Sequence, residues 1–188
     1  MGDDPPHKTS VDRTRLRMLA GGLASAAFLL TRPAQAAIQA PRPRSLRLRN
    51  LHTGEAASVT YWADGSYLSD GVTNLAHILR DHRNGASHAM DAKLFDLLYG
   101  LQAKLGVSSG FHVISGYRSP ESNAHLAAAS GGVAKHSLHM EGKAMDIRVP
   151  GVPLKNVHRA AMSLSAGGVG LYTASDFVHV DTGRLRYW

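Results

Sequence analysis

Residues 137–147 read Ser137-Leu138-His139-Met140-Glu141-Gly142-Lys143-Ala144-Met145-Asp146-Ile147. A histidine in a glycine-containing loop is followed seven residues later by an aspartate that opens an apolar strand, Met145–Val149, closed by Pro150-Gly151. Curvature at Gly142 lets the two side chains converge, and imidazole with carboxylate is an ordinary zinc pair. A third ligand is available in Asp176-Phe177-Val178-His179-Val180-Asp181. On a strand, His179 shares one face with Phe177 while Val178 and Val180 point to the other. Two histidines and one aspartate, with a fourth position left for water, suit a catalytic zinc ion. Taken singly, each has an ordinary explanation: His179 as a hydrogen-bonded strand residue, Asp146 as a strand-end cap.

Working outward, the surrounding chain predicts one domain. Ser45–Leu51 and Ala57–Trp62 alternate apolar and polar residues around a Thr53-Gly54 turn, the pattern of a hairpin. Apolar residues recur with helical spacing from Asp70 to about Arg83, where Asn84-Gly85 ends the run. Asp91–Leu105 is the clearest helix: Leu94, Leu97, Leu98, Leu101 and Leu105 form one stripe, read as core, with Gly106 as the C-cap. Phe111–Ser115 is a short apolar strand, and Glu121–Ser130 a helix started by Ser119 with Pro120 at its first position. Leu154–Leu164 is a helix; strands follow at Val169–Tyr172, Phe177–Val180 and Arg184–Trp188. Helices gathered early and strands gathered late imply an α+β domain with a small, mainly antiparallel sheet flanked by helices.

The 188 residues suffice for one domain with a substantial core. No cysteine is present, which excludes disulfides, thiolate ligands and a cysteine nucleophile. Residues 1–36 read as an export signal: Arg13, Arg15 and Arg17, an apolar run from Met18 to Leu30, and Ala34-Gln35-Ala36 as the cleavage site. The apolar run is shorter than the about 20 residues that span a bilayer. An uncleaved signal anchor is the alternative to cleavage, and the arginine spacing leaves the Sec and Tat routes both open. Pro41-Arg42-Pro43-Arg44 ends a stiff basic linker over 37–44, and the folded domain is expected over 45–188. The net charge is +7, and removing residues 1–36, with five Lys/Arg and three Asp/Glu, leaves +5. A basic chain is compatible with nucleic acid, anionic lipid or an anionic wall polymer, but no nucleic-acid-reading motif is present to favour the first.

The pattern S-x-H-x-x-G-x-A-x-D, complete at Ser137, His139, Gly142, Ala144 and Asp146, resembles the signature of a group of zinc peptidases. The group includes D-alanyl-D-alanine carboxypeptidases, VanX-type dipeptidases and phage L-alanyl-D-glutamate endolysins. The wider text is similar to one branch, the MepK (YcbK-like) murein endopeptidases. That likeness is carried by Ser115-Gly-Tyr-Arg118-Ser-Pro-Glu-Ser-Asn123, by Lys135-His-Ser-Leu-His139, and by His179-Val-Asp-Thr-Gly183 with Arg186-Tyr-Trp188. It covers roughly residues 45–188 and implies a fold like that of the hedgehog and D-Ala-D-Ala peptidase domains. It also implies one Zn2+ on His139, Asp146 and His179, with Asp176 as proton acceptor and Arg118 stabilising the oxyanion or binding substrate carbonyl. VanX-type members carry Glu where this chain has Asp176, whereas the endolysin and MepK-like branches carry Asp. Ser137, Tyr117 and His136 are candidate substrate contacts, and His136 and His112 are candidates to support the ligands from behind. Tyr117, Asn123 and Asp181 are candidates to shape the cleft, Asp181 reading more simply as a turn former beside Thr182-Gly183. The implied substrate is the stem peptides and cross-links of peptidoglycan, including links between two diaminopimelate residues, met in the periplasm. A D-alanine-trimming carboxypeptidase or dipeptidase, and a non-catalytic wall-binding module that keeps the zinc, are the alternatives.

Overall fold

The computed structural model describes residues 42–129 and 134–188. The expected signal over 1–36 and most of the linker over 37–44 lie outside the described residues. No helix among the described residues is long and apolar enough to cross a membrane.

Strands β1 (Arg44–Asn50) and β2 (Ala56–Ala63) form the expected hairpin, and β3 (Ser66–Tyr67) extends it. Helices α1 (Ser69–Ile78) and α2 (Ala92–Leu105) follow, then β4 (Phe111–Ser115), α3 (Pro120–Ala129) and a 3-10 turn over Leu138–Glu141. The chain continues through β5 (Ala144–Arg148), α4 (Leu154–Met162), β6 (Gly168–Tyr172), β7 (Phe177–Asp181) and β8 (Arg186–Tyr187). The eight strands form one sheet in the order β3-β2-β1-β4-β5-β7-β6-β8. The α+β class is as expected, but the sheet is larger than the small one predicted. The early hairpin does not stand apart: β1 pairs in parallel with β4 and so joins the later strands. A second parallel pair, β6 with β8, closes the other edge.

The leucine stripe of α2 is core. Leu94, Leu97, Leu98 and Leu101 are buried, Asp91 accepts from the Lys93 amide at 3.0 Å, and Gly106 ends the helix in the left-handed conformation. Helix α1 stops at Ile78, short of the expected Arg83. The Asp81 carboxylate takes the amides of Arg83 and Ser119 at 3.0 and 2.9 Å, and Gly85 donates its amide to the Asp81 carbonyl. A short acid that captures nearby amides competes with helix continuation in this way.

Strand register separates two faces. Val113, Ile147, Val178 and Leu171 pair across β4, β5, β7 and β6 and belong to the apolar core, to which α2 and α4 contribute. The neighbouring row, Asp146, His179 and Gly170, therefore points to the opposite face. An irregularity between Val113 and Ser115 brings Ser115 opposite Asp146 at the end of β4. The chain leaving β4 is thereby delivered beside the ligand row.

Candidate metal centre

His139, Asp146 and His179 are all buried and present their ligand atoms to one another. His139 Nε2 lies 3.3 Å from His179 Nδ1 and 3.3 Å from Asp146 Oδ1, and His179 Nδ1 lies 2.9 Å from the same oxygen. Ligands at about 2.0–2.1 Å from a tetrahedral zinc ion stand about 3.3 Å apart. The triangle is thus already near the size that a zinc ion requires.

Each ligand is placed by a different element. His139 is not in an open loop but in the 3-10 turn, begun by Ser137 and ended by Gly142 with φ +66°. The exit from β4 grips it from both sides. The Gly116 carbonyl lies 2.7 Å from Nδ1, and the Arg118 amide donates to the His139 carbonyl at 3.2 Å. With the proton on Nδ1, the Nε2 lone pair faces the other two ligands. Asp146 sits in the middle of β5 rather than at its start, directly paired with His179 on β7. Burial by itself would raise the Asp146 carboxyl, but the His139 and His179 imidazoles hold it below the usual carboxylate range. Burial likewise opposes the charged form of His179, yet its hydrogen bonds to Asp146 and Asp181 raise its pKa overall.

A cleft of about 200 Å³ opens above this triangle. Arg118 lines it and is 8% exposed; its Nη2 lies 3.8 Å from Asp146 Oδ2, and its Nε is buried without a partner among the described residues. Burial lowers the Arg118 pKa, with Asp146 acting in the opposite sense. Asn123, buried beside it, accepts from Arg118 at 3.4 Å and donates to the carbonyls of Ala134 and Lys135. His136, Ser137, Tyr172, Phe177 and Trp188 also line the cleft.

Two residues singled out from sequence are placed elsewhere. Tyr117 is turned into the core and stacks on His88, with ring centres 4.8 Å apart, and has no share in the cleft lining. The Tyr117 amide donates to the Leu79 carbonyl at 2.7 Å. Asp176 stands in the turn before β7, 66% exposed at the side chain, with a left-handed φ of +52°. Its carboxylate pairs with Arg148 Nε at 3.1 Å, and the same guanidinium bonds the carbonyls of Ser175 and Asp176. Phe177, the next residue, lines the cleft, but Asp176 itself is not among the lining residues.

Asp181 has a larger part than a turn former. It is fully buried and lies 3.0 Å from His179 Nε2. Its contact with His179 is not legible in the sequence, because its partners come from three separate stretches. The available signal was its place two residues after His179, on the same strand face.

An α+β domain with three convergent His and Asp side chains beside a cleft belongs to the class of proteins with a group that could hold one metal ion. The comparisons narrow the class: the family model described as "Peptidoglycan L,D-endopeptidase MepK" matches residues 38–188, and the chain belongs to that family. A protein of that name from Escherichia coli strain K12 is 46% identical over 178 residues, which cover 94% of this chain and 98% of the relative. The Shigella flexneri protein of the same name matches to the same extent. One from Haemophilus influenzae, named a probable peptidoglycan L,D-endopeptidase MepK, is 41% identical over 180 residues, 95% of this chain and 97% of the relative. No solved structure gives a significant match.

Proposed function

We propose that the protein is a zinc-dependent murein endopeptidase that hydrolyses amide bonds in peptidoglycan cross-links, with one Zn2+ held by His139, Asp146 and His179. The observation that carries this reading is the buried triangle of ligand atoms, 2.9–3.3 Å apart, at the floor of an open cleft. Family membership and the names of the relatives supply the substrate class. A zinc ion held there would supply Lewis acidity towards a scissile carbonyl and would lower the pKa of a water molecule.

The remaining work falls to the chain. Arg118, buried, charged and with an unused Nε, stabilises negative charge as it develops on the carbonyl oxygen. Asp176 accepts the proton of the attacking water and returns it to the leaving amine. This role requires its carboxylate to leave Arg148 and turn into the cleft mouth. Ser137 and His136 contact the substrate from the cleft wall, and Tyr117 backs the Arg118 segment from the core. Residues 1–36 direct the chain to the periplasm and residues 45–188 form the enzyme, joined by the basic linker.

Purified protein incubated with cross-linked and uncross-linked muropeptides tests the reading. Cleavage of cross-linked dimers to monomers is expected, and chelation of zinc should abolish it. Release of D-alanine alone would establish the carboxypeptidase alternative, and binding without cleavage the non-catalytic one. Asp176→Ala should lower the rate by about 10²–10⁴-fold while zinc stays bound; full activity in that variant would remove Asp176 from the mechanism.

A further inference from the structure

His179 has two ring nitrogens, and each faces a different carboxylate: Nδ1 meets Asp146 at 2.9 Å and Nε2 meets Asp181 at 3.0 Å. Asp181 is 0% exposed. Besides His179, its oxygens accept from the amides of Gly168 and Gly183 at 3.1 and 2.8 Å, and from Arg186 Nη1 and Nη2 at 3.1 and 2.7 Å. A carboxylate held this way is an acceptor only, so the proton between it and His179 belongs to Nε2. The atom left to bind a metal is then Nδ1, which already faces His139 Nε2 and Asp146.

Arg186 reaches Asp181 from β8, the short strand that pairs in parallel with β6. Glycines in β6 make room for it. A Cβ at Gly168 would collide with Asp181 Oδ2 and Arg186 Nη1, and one at Gly170 would collide with the Trp188 indole. Arg186 in turn lies 5.0 Å over the Trp188 ring, whose centre is 5.4 Å from that of His179.

We propose that Asp181 and Arg186 are positioning residues for the metal. Arg186 holds Asp181, Asp181 holds His179 with Nδ1 as the ligand atom, and metal retention therefore depends on β8 being docked on β6. This inference rests on the zinc reading of the three ligands. It goes further by making the strand edge at Arg186 part of the metal site, although no residue of β8 is a ligand.

Zinc affinity of the full chain, measured by competition with a chromophoric chelator, tests the proposal. The absorption spectrum of the Co2+-substituted protein serves as a second readout, and circular dichroism of the metal-free protein checks the fold. Asp181→Asn and Arg186→Gln should each weaken zinc binding by about 10–100-fold. Gly168→Ala should act in the same direction although it touches no ligand, and Arg186→Lys should recover part of the loss. Dissociation constants within about twofold of the wild type in both Asp181→Asn and Arg186→Gln would overturn it. If Asp181→Asn does not fold, Arg186→Gln and Gly168→Ala decide the matter by the same criterion. A wild-type protein without zinc affinity would instead remove the zinc reading on which the proposal stands.

Discussion

At the scale of single residues, the site turns on positions whose backbone allows few alternatives. Gly142 ends the ligand turn at φ +66°, and a Cβ there would collide with the Ala89 carbonyl oxygen. Its own carbonyl accepts the Asp91 amide at 2.9 Å, tying the turn to the start of α2. Gly142→Ala should therefore destabilise the metal-free protein by at least about 1–2 kcal/mol and weaken zinc binding by moving His139. Thermal denaturation and zinc titration check the two effects separately. His139, Gly142 and Asp146 were legible in the sequence because they lie within eight consecutive positions. The burial of Asp181 and the Asp176–Arg148 pairing were not, because each depends on strand register. Arg148 is two residues beyond Asp146 on the same strand, yet nothing in its local sequence marks it as the partner of a turn 28 residues later.

Among the elements, the short segment after α1 fixes where Arg118 begins. Asp81 is buried, receives the Ser119 amide and stands 3.5 Å from Arg83 Nη1. Burial pushes its carboxyl up, but hydrogen bonds from Ser122, Ser119 and Arg83 outweigh it and bring the pKa from 3.8 to about 2. The folded-state value is below the unfolded one, so the stabilisation is complete above the unfolded value and fades as pH falls from 3.8 towards 2. Its size is about 2 kcal/mol. Urea denaturation should show wild type more stable than Asp81→Asn at about pH 5, with the gap narrowing by about pH 2.5; a constant gap would contradict the assignment. Long elements with caps, such as α2 between Asp91 and Gly106, were legible from the chain alone. Strands β3 and β8 have two residues each, too few for any periodicity, and the parallel pairing of β1 with β4 links residues about 60 positions apart in sequence.

For the whole molecule, a metal that binds only the folded state adds to stability by mass action. Free zinc at about 100 times its dissociation constant should contribute about 2.7 kcal/mol, seen as a rise in melting temperature of about 5–10 °C. Chelation should reverse it, and a melting temperature indifferent to zinc would count against the centre. The triangle also has a history within each chain. Asp146 and His179 become neighbours only when β5 pairs with β7, and His139 joins them only when the exit from β4 is in place. Before that the chain offers scattered imidazoles and carboxylates with no preformed site. Were residues 1–36 to export the chain, the compartment where it folds would decide which ions compete for the three ligands. A chain threaded unfolded across a membrane would draw on the metals outside, whereas one folded before transport would leave already carrying its ion.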